Sequence, residues 1–151
     1  MRHFFRAVLF LIAALPASSA FAQAKDFLTV KDPWVRATVP AQQVTGAFMT
    51  LTATVDLRLV AASSPQAGMI EIHQMTMENN VMQMRALPDG LALPKGKAVE
   101  LKPGSYHLMV MDLKQPMKQG AWLPLMLTVE TKDMKRSTVM VSAEVKSLTS
   151  K

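Results

Sequence analysis

The stretch Glu71-Ile72-His73-Gln74-Met75-Thr76-Met77-Glu78-Asn79-Asn80-Val81-Met82-Gln83-Met84-Arg85-Ala86 decides the fold class. Asn79-Asn80 separates two short runs without helical period, and asparagine tolerates the positive φ that a two-residue hairpin turn requires. In that register Met77 faces Met82, Met75 faces Met84 and His73 faces Ala86. Side chains alternate across a strand, so His73, Met75, Met77, Met82 and Met84 share one face. Ile70, Ile72, Gln74 and Thr76 take the other. A slip of one residue would send every one of these side chains to the opposite face.

The same pattern extends in both directions. Gly, Pro, Asn and Asp punctuate short runs rich in Val, Leu, Thr and Met, and no helical period persists long enough to compete. Strands are expected at Trp34 to Thr38, Gly46 to Thr54, Leu57 to Ala62, Met69 to Glu78, Val81 to Leu87, Ala98 to Leu101, Tyr106 to Asp112, Leu123 to Glu130 and Thr138 to Val145. Many short strands with regular turns predict an all-β sandwich or barrel. Pro88 to Lys97 and Lys114 to Gly120 read as plain connections, and Lys146 to Lys151 as a frayed tail.

The 151 residues suit one domain with a substantial core. Residues 1–22 carry Arg2 and Arg6, an apolar run from Ala7 to Leu15 and the small-x-small triplet Ala20-Phe21-Ala22. They read as a cleaved secretory signal, leaving a β domain at 23–151. Pro16, Ser18 and Ser19 break the roughly 18 apolar residues that a membrane anchor would need, so no stable anchor is expected. The formal net charge of +6 falls to +4 without Arg2 and Arg6. These charges are dispersed, which disfavours a nucleic-acid surface. Cysteine is absent, which excludes disulfides, thiolate metal sites and cysteine nucleophiles.

Methionine is abundant, with 13 in the chain, mostly between Met69 and Met126. A single methionine is ordinarily a flexible core filler, and Met49, Met126 and Met140 are expected to be that. Position on the strands distinguishes others. In Tyr106-His107-Leu108-Met109-Val110-Met111, alternation puts His107, Met109 and Met111 on one side while Tyr106, Leu108 and Val110 face the other. On the hairpin, His73 lies diagonal to Met84, within the roughly 7–8 Å of diagonal cross-strand neighbours. His73 and His107 are the only histidines left once His3 departs with the signal.

Ligand chemistry points to a metal. Thioether sulfur is soft and imidazole borderline, a mixture that favours Cu(I) over Zn(II). Neutral ligands leave the ion's charge uncompensated, as suits a carrier that must also release its cargo.

These residues resemble a known family. Glu71-Ile72-His73 through Met84, then Leu101-Lys102-Pro103-Gly104-Ser105-Tyr106-His107-Leu108-Met109 and Leu113-Lys114-Gln115-Pro116, are similar to the periplasmic copper chaperones called PCu(A)C. Trp34-Val35-Arg36-Ala37 and Thr45-Gly46-Ala47 extend the likeness. The resemblance implies a cupredoxin-like, Greek-key β fold and a Cu(I) site at His73, Met84, His107 and Met109. It further implies copper delivery in the periplasm to an acceptor protein, in several members the copper-site subunit of a cytochrome oxidase, often alongside Sco-type proteins. The His- and Met-rich C-terminal tail of some relatives has no counterpart in Lys146 to Lys151. The chain is expected to be a monomer, with copper able to bridge two copies.

Three other classes were weighed. An electron-transfer cupredoxin needs a cysteine thiolate and is closed. A hydrolase lacks a nucleophile and orienter in motif context beside either histidine, so no enzyme activity is expected. A periplasmic copper buffer, or a metal-free binding module with methionines as filler, stays open. Met75, Met77, Met82 and Met111 share the ligand face, where they could shield the site or offer a transfer step.

Overall fold

The computed structural model describes residues 27–150, so the proposed signal at 1–22 lies outside the described residues. Ten strands account for the regular structure: β1 Leu28–Arg36, β2 Thr45–Ala53, β3 Leu57–Ser63, β4 Ala67–Glu78, β5 Val81–Ala86, β6 Leu91–Leu93, β7 Ala98–Leu101, β8 Tyr106–Leu113, β9 Trp122–Thr131 and β10 Arg136–Lys146. They form one hydrogen-bonded sheet in the order β5-β4-β8-β7-β2-β1-β10-β9-β3-β6, with β8 also paired to β2. Among the described residues no ladder joins the two ends of that order, so the sheet is open. It folds over far enough for β3 to lie against β4.

The core follows from period-two patterning. In β9, Leu123, Leu125, Leu127 and Val129 point inward and are buried, while Pro124, Met126 and Thr128 alternate with them on the outer side. They meet Leu51, Leu59, Leu93, Leu108 and Val110 from other strands. Each such leucine contributes about 1.5–3 kcal/mol by leaving water. Met49 is buried as expected, but Met140 is 77% exposed and is a correction to its assignment as filler. Met126 and Met140 are paired neighbours on the outer face of β9 and β10, because the ladder spends the inward positions on Leu125, Leu127 and Val139.

Three connections differ from expectation. The segment read as a plain loop from Pro88 contains β6, whose Leu91 and Leu93 are buried against β3. Met117, in the other loop, is buried and held by its amide to Thr38 Oγ1 at 2.9 Å. The C-terminal segment is tied down: Ser150 O accepts from Arg36 Nη2 at 3.1 Å. The first strand begins six residues earlier than predicted and passes Pro33 at a register shift between Lys31 and Trp34, where a ladder N–H can be lost.

Candidate metal site

The hairpin forms in the expected register, with Met77 opposite Met82, Met75 opposite Met84 and His73 opposite Ala86. Asn79 and Asn80 take φ values of 51° and 63°, the left-handed pair that matches strand twist in a two-residue turn. On its other edge β4 pairs with β8, placing His73 across from His107 and Glu71 across from Met109. β8 in turn pairs Met109 with Gly46 of β2. Three ladders thus gather residues far apart in sequence onto one outer face.

Met75, Met84, His107 and Met109 line a single cleft of about 190 Å³, together with Arg36, Gly46, Phe48, Pro103 and Gly104. Three of the four expected ligands therefore converge. His73 stands beside the cleft, its ring meeting His107 edge to face with centroids 5.7 Å apart.

The two imidazoles are oriented by oxygen acceptors. His107 Nδ1 donates to Ser105 O at 3.1 Å, which places the proton on Nδ1 and leaves the Nε2 lone pair uncommitted. His73 Nε2 donates to Glu71 Oε2 at 2.7 Å. Its Nδ1 is buried without a partner, a costly arrangement that a metal ion would relieve. Burial pushes the His107 imidazole below its ordinary pKa, the Ser105 carbonyl opposes this, and the charge of His73 adds to the lowering. The lowering favours the neutral form of His107, the form that ligates.

An aromatic wall closes the far side. The Phe48 ring centroid is 4.4 Å from that of Trp34 and 6.4 Å from that of His107. Arg36 Cζ lies 5.6 Å from the Phe48 centroid, and its Nε is buried without a partner. Gly46 makes room for this ring: a Cβ there would fall 2.7 Å from Phe48 Cζ. Sequence reading puts Met75 on the ligand face as a shield or transfer step, but does not place Arg36 or Phe48 at the site. For Met75 the signal was its register opposite Met84. For Arg36 and Phe48 nothing local announced it.

The donors that line the cleft are mostly soft. Among the described residues no group of three or more His, Asp or Glu could hold a metal ion, and the cleft instead sets the thioethers of Met75, Met84 and Met109 beside His107. A larger cleft, about 480 Å³, lies at β3, β6 and β9. Of its charged lining residues, Asp56 and Lys132 pair with each other and Glu130 pairs with Arg136, each at 2.8 Å, while Arg58 donates to the Asp89 carbonyl at 3.1 Å.

The family model described as "Putative lipoprotein LpqE-like" matches residues 28–145. The chain belongs to this LpqE-like, PCu(A)C family. Among solved structures, apo-DR1885 from Deinococcus radiodurans is 30% identical to this PCu(A)C chain, with a TM-score of 0.60 over 97% of each chain. The structure titled CuI-DR1885 is 29% identical with the same TM-score of 0.60, over 88% of this chain and 94% of that one. The fold is therefore cupredoxin-like, as the PCu(A)C resemblance implied. By sequence, the "Putative lipoprotein Lxx21020" of Leifsonia xyli subsp. xyli is 28% identical over 107 residues, 70% of this chain. The chain spans 64% of that protein and 51% of a Rickettsia prowazekii relative.

Proposed function

We propose that this PCu(A)C protein is an extracytoplasmic copper carrier that binds Cu(I) at Met84, His107 and Met109, with His73 as fourth ligand. The observation that carries this reading is the convergence of three thioethers and one neutral, lone-pair-bearing imidazole on one cleft. The similarity to CuI-DR1885 supports it. Thioethers supply soft, uncharged donation, and the imidazoles add selectivity without adding negative charge. An ion held by neutral ligands near the surface can be exchanged to an acceptor with a better donor set.

X-ray absorption on Cu(I)-loaded protein tests the site: both sulfur and nitrogen scattering are expected in the first shell. Nitrogen and oxygen alone would overturn the thioether assignment. A metal-free role would be indicated if changing His73, Met84, His107 and Met109 together to alanine left Cu(I) uptake unaltered.

The periplasm is the proposed compartment, reached by cleavage after Ala22, and the proposed clients are the copper-site subunit of a haem-copper oxidase and Sco-type proteins. Cu(I) should move from the loaded carrier to a soluble copper-site domain when the two are mixed. Retention of the metal by the carrier against excess acceptor would instead favour a buffering role.

A further inference from the structure

Met77 and Met82 form a second pair of facing thioethers, one step nearer the hairpin tip than the Met75 and Met84 pair that lines the cleft. They are 62% and 45% exposed. Neither is core filler, since both stand among the exposed large hydrophobic side chains. The opposite face of this hairpin carries no methionine: beside Val81, Arg85 is bonded to Glu78 at 2.8 Å and to Gln83 at 3.2 Å. Thioethers are thus confined to the face that carries the cleft. Directly opposed residues have Cβ atoms about 4.5–5.5 Å apart, and Met75 is diagonal to Met82 at roughly 7–8 Å. Three rotatable bonds per methionine let three sulfurs at such spacings converge on one ion.

We propose that Met75, Met77 and Met82 constitute a second, outer site for a soft monovalent ion of the Cu(I) class. It takes the metal at the exposed tip and hands it inward. Transfer is ligand exchange only, with no change of oxidation state: Met77 and Met82 release the ion as ligands of the cleft take hold, and Met75 belongs to both surroundings. An all-thioether site lacks imidazole donation, so it is weaker than the inner one by about tenfold or more. The outer site is defined independently of the inner ligand set, while its role as an entry point rests on the copper-carrier reading.

The test is a titration of the full chain, labelled with methyl-13C methionine, with Ag(I) as a redox-silent probe, followed by NMR and native mass spectrometry. The first equivalent should move the Met84 and Met109 methyl resonances, and the second should move Met77 and Met82. The double variant Met77→Leu/Met82→Leu, altered only at exposed positions, should bind one Ag(I) in place of two and keep the first binding step. Movement of Met77 and Met82 without Met84 and Met109 would support the outer site and overturn the inner ligand set. Met77 and Met82 methyls that stay still through two equivalents, or a double variant that still binds two ions, would overturn the outer site whatever the inner methionines do.

Discussion

His73 stands directly across the β4–β8 ladder from His107, and each ring has spent one nitrogen on an oxygen acceptor, Glu71 for His73 and the Ser105 carbonyl for His107. Each keeps one nitrogen for other use. Burial, with the neighbouring charge of His73 adding to it, lowers the pKa of the His107 imidazole.

Apoprotein stability should carry the mark of His107. Burial lowers its pKa in the folded state below the ordinary 6.5, so the unfolded chain binds the proton more readily. The contribution of neutral His107 is therefore complete above about pH 6.5 and is lost as pH falls through the lowered folded value. Urea unfolding at steps of pH should show wild type losing stability more steeply on acidification than His107→Gln. Parallel profiles would contradict the burial argument.

Copper binding should depend on protons through the imidazoles alone, because thioethers do not titrate. Both rings must be neutral in the complex, so the affinity of wild type should approach a two-proton dependence in acid. His73→Met should reduce it to one. Competition titrations against a chelator of known proton dependence measure both slopes, and equal slopes would remove His73 from the ligand set.

Glu71 holds His73 through the 2.7 Å bond to Nε2 and leaves Nδ1 buried without a partner, the nitrogen that would bind the ion in the proposed site. Removing such a partner ordinarily costs about 10–100-fold in metal affinity. Glu71→Ala should show a loss in that range by the same competition assay, and Glu71→Gln, which keeps an acceptor oxygen, should recover part of it. Full affinity in Glu71→Ala would mean that His73 is held by packing alone.

The methionines should divide by face. Met109→Leu is expected to lower Cu(I) affinity by about tenfold or more, since leucine fills the space and donates nothing. Met126→Leu, on β9 and outside the cleft, should leave affinity unchanged and cost less than about 1.5 kcal/mol in chemical denaturation. Loss of copper binding in Met126→Leu would show the site to be misplaced.

Gly46→Ala should disturb the site without touching a ligand. The added Cβ would crowd the buried Phe48 ring at 2.7 Å, and the ring has Trp34 on one side and His107 on the other. Overpacking of this kind costs about 1–3 kcal/mol. A lowered unfolding midpoint together with a shifted His107 side-chain NMR signal is expected. An unchanged His107 signal would show that Phe48 does not position the imidazole.

Local chemistry was readable wherever neighbours in sequence are neighbours in space. Asn79-Asn80 sets a turn, the turn sets the pairing of Met75 with Met84, and alternation then assigns faces; all of this is present in the order of the residues. Alternation also identified Leu108 and Val110 as core and His107 with Met109 as a same-face pair. It could not say which face of β9 and β10 is buried at Met126 and Met140, because a methionine satisfies an inward or an outward position equally well. Nor could it reveal β6, three residues long, whose strand state comes from pairing with β3.

By itself, then, the sequence determined an all-β chain, the hairpin register, the soft and cysteine-free donor chemistry and the four candidate ligands. Tertiary structure alone decided that His73 meets His107 and that Gly46, Phe48 and Arg36 wall the cleft. The reason is the range over which each constraint acts. A two-residue turn fixes register by backbone geometry, whereas the β4–β8 and β8–β2 ladders join residues tens of positions apart, and no turn links them. Their register is selected only when the inward faces pack into one core, and the position of every outward side chain at the site follows from that packing.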